Sequence, residues 1–594
     1  MLHSYPRARW ALHSILLLAP LGAAQAQAPV ITSVIPMANA RAAARTSPVT
    51  VSFSQPLTAA SAGALKVFSA QRGGLRSRGT TPAVVSGNTL SFAPTAYDFR
   101  PGETVQYTVT TAAASAGGPL TQGRVGQFTA ATGGSGRGDF VLPSTPLNAT
   151  VGSPKSIAVG DVDGDGDLDL VTTHYSNSIG VLRNDGSGAF TRSSLVGVGN
   201  ATSSVSSLVL GDLDGDGDLD FAAANRETGT ISVRLNDGTG TFSAPGTGPE
   251  VAVGLEPASL ALGDVDRDGD LDLLCANAGS NSVSIRLNNG TAAFAAATAP
   301  DIAVGNGPYG LTVGDIDGDG DLDVLTANRN EGTASVRLND GSGGFTAPPS
   351  NANPAVVFAP TSVALGDIDG DGDLDLLNAS TNTNAGNYGV SIRLNDGLGS
   401  FTSPPTIPNT VTLSGISTTG LVTSDVDGDG DLDLLAIQGN AGFPNQYGLL
   451  CVRLNNGQGS FTAPTTNPDP AMGALPSGIA VGDVDGDGDV DVMVTNGSSN
   501  TVAVRLNGGT TLATAPGRPA ATTFTLFPNP AHGAATLTGA APHAPLTVLD
   551  ALGRVRLTAT ADAAGAARLA LPVGLPAGVY LVRSGGQVRR LAVE

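Results

Sequence analysis

Lysine is almost missing from this sequence: Lys66 and Lys155 are the only two in 594 residues. Histidine is scarce too, and of the five only His174, His532 and His543 lie beyond the first 26 residues. Nucleophilic triads and histidine acid–base catalysis are therefore almost unsupplied. The two cysteines, Cys275 and Cys451, fall in strands of different repeats, too far apart for the roughly 7 Å Cα separation of a disulfide. Free thiols are expected. There is one tryptophan, Trp10, and aromatic residues make up only 4%, which counts against a sugar-stacking lectin. No phosphate loop, zinc signature or basic nucleic-acid patch is present, so no nucleic-acid partner is expected. No apolar run is long enough to span a bilayer, so no transmembrane segment is expected.

Positive charge is also short, with 30 basic residues against 51 acidic ones and a net charge of −21. The excess is local. DVDGDGDLD begins at Asp161 and recurs from Asp212, Asp264, Asp315, Asp367, Asp425 and Asp483, with Asp at positions 1, 3, 5, 7 and 9 and Gly at position 6. These seven loops hold 35 of the 51 acidic residues. Five carboxylates within nine residues repel one another and destabilise a loop unless a cation neutralises them. Hard oxygen ligands in this number favour Ca²⁺ over Mg²⁺.

The candidate metal residues are thus Asp161, Asp163, Asp165, Asp167 and Asp169 in the first copy, then Asp212, Asp214, Asp216, Asp218 and Asp220 in the second. The third has Asp264, Asp266, Asp268, Asp270 and Asp272, and the fourth Asp315, Asp317, Asp319, Asp321 and Asp323. Asp367, Asp369, Asp371, Asp373 and Asp375 follow, then Asp425, Asp427, Asp429, Asp431 and Asp433, and last Asp483, Asp485, Asp487, Asp489 and Asp491. Positions 1, 3, 5 and 9 would offer side-chain oxygens, position 7 its backbone carbonyl, and the Gly a sharp turn. An EF-hand needs Glu at position 12. Here that position is Thr172, Ala223, Cys275, Thr326, Asn378, Ala436 or Val494, so an EF-hand is excluded. The third copy carries Arg267 at position 4, a position not expected to ligate.

Residues 1–26 have Arg7 and Arg9, an apolar run and Ala24-Gln25-Ala26, the pattern of a secretory signal peptide. Residues 29–131 alternate in short Val/Thr/Ser strands such as VTVSFSQP and VQYTVTT, as a β-sandwich does. Their order resembles the bacterial Ig-like domain of the S-layer type, which implies a spacer. A Gly-rich linker, 132–139, contains Arg137-Gly138-Asp139.

From 140 to 515 the loops recur at spacings of 51, 52, 51, 52, 58 and 58 residues. Each unit reads as four antiparallel strands, a to d, with the Asp loop between a and b and an Asn-Asp-Gly-type turn between c and d. That is the pattern of a seven-bladed β-propeller. The recurring loop, flanking strands and RLNDGxGxF resemble the FG-GAP and VCBS repeats, the family of the integrin α-chain propeller. In that family these loop positions bind Ca²⁺, which implies about seven ions, one per blade. The last unit lacks a full strand d, and 140–152 has no blade before it, so this segment is expected to close the ring.

Residues 524–594 run PNP, then D-x-x-G-R, then L-P-x-G-x-Y. This resembles the type IX secretion sorting domain (type A). The resemblance implies the type IX machinery as a partner and an outer-membrane surface or extracellular location in a Gram-negative bacterium. The fold expected overall is all-β: a propeller flanked by an Ig-like sandwich and a small C-terminal sandwich.

In such blades the metal loops share one face, and the irregular b–c and d–a loops share the other. Tyr175, Tyr309, Tyr388 and Tyr447 all fall on the second face, which makes it the candidate ligand face. The expected role is adhesion or binding of an extracellular protein or glycan. The alternatives are a calcium-dependent polysaccharide lyase, with Lys155, an Arg or a Tyr as base, and a purely structural surface protein.

Overall fold

The segment after each Asp loop forms a strand of six or seven residues, from Asp169–His174 in the first copy to Asp491–Asn496 in the last. All six residues of both are buried. Alternation of apolar and polar residues is therefore weak here, because this strand is sandwiched on both faces by neighbouring blades. The computed structural model describes residues 27–508 except 79–81, 96, 143–148, 151, 175–176, 200–203, 358, 382–388, 406–407, 414–416 and 440–446, and parts of 525–593. The expected signal peptide lies outside the described residues. The chain divides into two compact units, up to residue 509 and from 510 onward.

In the first unit the repeats form seven antiparallel sheets, each ordered a-b-c-d among the described residues. Blade 1 is Ile157–Gly160, Asp169–His174, Ser178–Asn184 and Phe190–Gly197. The first strands of successive blades lie side by side, and Pro476–Gly482 of blade 7 lies beside Ile157–Gly160 of blade 1. The sheets thus form a ring. In blades 2 and 6 the outer edge is split, and two short segments pair with strand c.

Blade 7 takes its fourth strand from the far end of the repeat region. Ala149 pairs with Val502 and Thr150 with Thr501, and Val141 bridges Leu506. This covers an edge that would otherwise template aggregation. A second ring of bonds runs between blades. The first Asn of each c–d turn donates from Nδ2 to a backbone carbonyl in the preceding blade's Asp loop: Asn236 to Val162 at 2.8 Å, Asn288 to Leu213 at 2.8 Å, Asn339 to Val265 at 2.8 Å, Asn395 to Ile316 at 2.7 Å, Asn455 to Ile368 at 2.8 Å and Asn507 to Val426 at 2.7 Å. Asn184 completes it by reaching Val484 of blade 7 at 2.7 Å. Cys275 and Cys451 are both buried and are not joined to each other in a disulfide; Cys451 Sγ donates to Gln438 Oε1 at 3.1 Å.

Residues 29–131 form two packed sheets. One is ordered Ile31–Ile35, Val49–Phe53, Thr89–Phe92, Val84–Ser86, and the other Leu65–Ser69, Thr104–Val109, Arg124–Thr129. Val51, Phe53, Leu65, Leu90, Phe99, Val105, Tyr107 and Phe128 fill the space between them.

The second unit has a sheet of Thr525–Phe527, Ala534–Thr538 and Ala567–Ala570, and another ordered Val555–Thr560, Pro545–Leu549, Gly578–Ser584, Gln587–Val593. Leu537, Leu546, Val548, Leu569, Val582 and Leu591 form its core.

Candidate functional site

The Asp loops are built by their own backbone. Gly at position 6 has φ between +89° and +102° in all seven copies, a region that L side chains avoid. Position 4 is left-handed as well, from +73° at Gly164 to +85° at Gly370, and Arg267 occupies it at +65°. The carboxylates then tie the turn. Asp161 Oδ1 accepts the Gly164 N–H at 2.9 Å, and Asp212 accepts those of Gly215 and Gly217 at 2.7 and 2.8 Å. The Asp165 carboxylate accepts the Asp167 N–H at 2.9 Å. Position 9 is fully buried and joins loop to strand: Asp169 accepts from Val162 at 3.1 Å and from Asn184 at 2.9 Å.

This folding gathers oxygens. Positions 1, 3 and 9 each bring one carboxylate oxygen within 4.8 Å of the other two in the first four loops, and positions 1, 3 and 5 do so in the fifth. Burial pushes the pKa up to about 7 at Asp169 and to about 8 at Asp220, Asp323, Asp375 and Asp433. Their hydrogen bonds from backbone N–H groups act the other way and do not offset it. Among the described residues, the buried oxygens Asp315 Oδ1 and Asp369 Oδ1 have no hydrogen-bond partner. Clustered, buried, partly unsatisfied carboxylates are the donor set a hard dication fits. These Asp clusters could hold metal ions.

Position 7 side chains turn to other partners. Asp321 pairs through both oxygens with Arg267 of the preceding loop. Asp431 meets Arg41 at 3.3 Å, and Asp489 accepts N–H groups of Ser135 and Gly136 at 3.0 and 2.7 Å. Arg267 is thus a bridge between loops. Blade 1 departs from the repeat in another way: Leu182 pairs with Leu170 where blade 2 pairs Arg234 with Phe221, so the Arg of blade 1, Arg183, stands one place along and meets Asp163 of its own loop at 3.3 Å. In blade 2 the regular Arg234 pairs instead with Glu250 at 3.3 Å.

The Ig-like sandwich, expected as a spacer, packs on the Asp-loop face. Arg72 lies 3.3 Å from Asp161 and Arg41 lies 3.7 Å from Asp367. Leu75 N–H donates to Asp212 at 2.9 Å, Val125 N–H to the Gly320 carbonyl at 2.7 Å, and Thr132 to Asp425 at 3.0 Å. Gln122, with its amide oxygen toward the guanidinium, accepts from Arg267 at 3.0 and 3.1 Å. The Gly-rich segment is also held. Gly138 N–H donates to Val426 at 3.2 Å and Asp139 accepts from Thr466, so Arg137-Gly138-Asp139 lies along the propeller.

Of the four tyrosines, Tyr175 and Tyr388 lie outside the described residues. Tyr447 is 56% exposed at the outer end of its strand. Tyr309 lines a cavity on the face away from the Asp loops, with Lys155, Arg226 and Arg329.

The FG-GAP-like repeat matches residues 161–223, 212–275, 264–326, 318–378 and 439–494, and a bacterial Ig-like domain matches 25–130. The chain carries FG-GAP-like repeats behind a bacterial Ig-like domain. Between the matched FG-GAP-like repeats lies the sixth loop, built like the rest: Asp425 accepts from Gly428 at 2.8 Å and Asp433 from Val426 at 2.9 Å. No curated relative matches the sequence. Among solved structures, BBS1N in complex with ARL6DN, soaked with mercury, is 13% identical, with a TM-score of 0.40 over 63% of this chain and 98% of that one. A functionally unknown protein from Desulfotomaculum acetoxidans DSM 771 is 8% identical, with a TM-score of 0.36 over 56% and 95%. Likenesses this distant say nothing of what these FG-GAP-like repeats do.

Proposed function

We propose that the chain is an exported, calcium-binding propeller protein that binds an extracellular protein or glycan through the face away from its Asp loops. The segregation of the two faces carries this reading. One face is filled by seven acidic loops and covered by the Ig-like sandwich through Arg41, Arg72 and Leu75, and by the linker through Thr132. Among the described residues, the other bears Tyr309 with its cavity and the exposed Tyr447. Loops on a rigid ring vary without disturbing the blades, which is where binding residues concentrate.

In the first four loops positions 1, 3 and 9 would hold the ion, and in the fifth positions 1, 3 and 5. Ca²⁺ supplies the positive charge that makes five adjacent carboxylates tolerable. Seven such ions would bring the net charge of −21 to about −7.

Export is supported by the N-terminal signal pattern and by the order PNP, D-x-x-G-R and L-P-x-G-x-Y near the C-terminus. These point to type IX secretion and so to a Gram-negative cell surface or its surroundings. No helix among the described residues is long and apolar enough to cross a membrane.

A glycan and protein array probed with the calcium-loaded chain tests the function. A ligand whose binding weakens on Y309A and Y447A supports the assignment. Binding lost only on disrupting a well-folded Asp loop or the Ig-like cover would reverse the faces. Removing 524–594 should strand the protein inside the cell envelope, and normal release of that variant would exclude the sorting role.

A further inference from the structure

On the face away from the Asp loops, the starts of all seven first strands enclose a cavity of about 490 Å³. That is within the usual range for small-ligand sites. The repeat places one residue at the same point of each blade: Lys155, Ser206, Ala258, Tyr309, Thr361, Thr419 and Ser477. Five are small. The ring is broken by Lys155, one of two lysines in the chain, and by Tyr309.

The small residues have a structural duty. Ser206 donates to the Pro257 carbonyl at 2.6 Å, Thr361 to Thr418 at 3.1 Å, Thr419 to Pro476 at 2.9 Å and Ser477 to Pro154 at 3.1 Å. Each hydroxyl proton thus goes to a neighbouring blade. The oxygens keep their lone pairs and line the cavity as acceptors.

The cations do not share that duty. Arg226 donates to the Tyr309 hydroxyl at 3.1 Å and pairs with Glu256 at 2.8 Å. Arg329 stacks 4.8 Å from the centre of the Tyr309 ring. Among the described residues, neither the Lys155 ammonium nor the Arg329 guanidinium has a side-chain hydrogen bond or ion pair. Lys155 is open to solvent, yet protein surrounds it closely enough that desolvation lowers its pKa. Burial raises the pKa of Tyr309, but the Arg226 hydrogen bond and the charges of Arg226, Arg329 and Lys155 outweigh it and bring the value down. The three cations therefore converge on one place. The cluster is only partly neutralised, by Glu256 on Arg226 and by the nearby charge of Glu227 on Lys155, and the positive charge left over repels itself. An anionic guest would relieve it.

A guest for this cavity must carry an anion for Lys155 and Arg329, and hydroxyl donors for a ring of oxygen acceptors. We propose that the cavity binds a uronic-acid residue of an extracellular acidic glycan, its carboxylate between Lys155 and Arg329 and its hydroxyls toward the Ser and Thr oxygens. The proposal rests on the reading that this face is the binding face.

Calorimetry on the full calcium-loaded chain tests it, with tetragalacturonate, maltotetraose, acetate and a polyglutamate peptide as probes at fixed free calcium. Tetragalacturonate should bind, more weakly as salt rises. Maltotetraose should not. K155M and R329Q should each weaken binding about tenfold or more without moving the melting temperature. E256Q, which frees Arg226 from its carboxylate, should tighten it. Polyglutamate or acetate binding as well as the sugar would overturn the sugar assignment. Affinity for tetragalacturonate unchanged in K155M and R329Q would overturn the cavity. An array ligand retained by K155M and R329Q but lost in Y447A would leave the binding face standing and this proposal refuted.

Discussion

Replacing Arg267 by glycine restores the repeat's own spelling and so tests what the third loop needs. Two effects oppose each other. Arg267 sits at φ +65°, where an L side chain costs about 1–2 kcal/mol and glycine costs little. The backbone alone would therefore favour R267G. Against it stands Asp321, whose side chain is only 1% accessible and whose two oxygens pair with Arg267. Breaking a buried pair and leaving one charge behind costs about 3–5 kcal/mol. R267G should therefore be destabilised by about 1–4 kcal/mol, the low end applying if water reaches Asp321. The urea midpoint of the full chain in excess calcium measures this. The double variant R267G/D321N should regain most of the loss, since a neutral amide strands no charge. A midpoint for R267G at or above that of the parent, or a double variant no better than the single, would refute the reasoning.

Chelation should lower the melting temperature sharply, since free calcium at 100 times the dissociation constant contributes about 2.7 kcal/mol at each site; an unchanged melt with no metal retained would count against the ion. The metal-free chain should lose stability as pH rises. Asp220, Asp323, Asp375 and Asp433 have folded pKa values of about 8 against an ordinary 3.8, so between these limits the folded state binds more protons than the unfolded one. That contribution is complete below about pH 4 and gone above about pH 8. Calcium should reverse the trend because it binds the ionised form, and equal metal-free urea midpoints at pH 5 and pH 8 would contradict the assignment. N184A removes the donor held by Val484 at 2.7 Å and Leu168 at 3.0 Å. It leaves buried carbonyls unpaired, for a loss of about 1–3 kcal/mol. An unchanged urea midpoint would mean that the seventh inter-blade bond does not help to close the ring.

The blades were legible because their signals are local. Asp and Gly at fixed spacing set the turn, and Asn-Asp-Gly sets the hairpin. Both act within a dozen residues, where chain connectivity already holds the partners together. The Asn of that hairpin shows where local reading stops. Its sequence accounts for the turn, but its Nδ2 also bonds a carbonyl 74 residues away, as in Asn236 to Val162. Only the recurrence of Asn at the same point of all seven units hinted at a second duty. Arg267 is similar: it reads as a departure at a harmless position, and its partner Asp321 is 54 residues on.

The sequence by itself determined the all-β repeat, the number of Asp loops and their chemistry, because those follow from residue type and short-range geometry. Tertiary structure alone decided three things. The Ig-like sandwich covers the Asp-loop face, with Arg72 and Arg41 beside Asp161 and Asp367. The Arg-Gly-Asp segment lies along the propeller. Lys155, Tyr309 and Arg329 meet in one cavity. Each of these brings together residues from distant repeats or separate domains, and such meetings depend on how finished surfaces fit, which no local pattern of hydrophobicity or charge encodes.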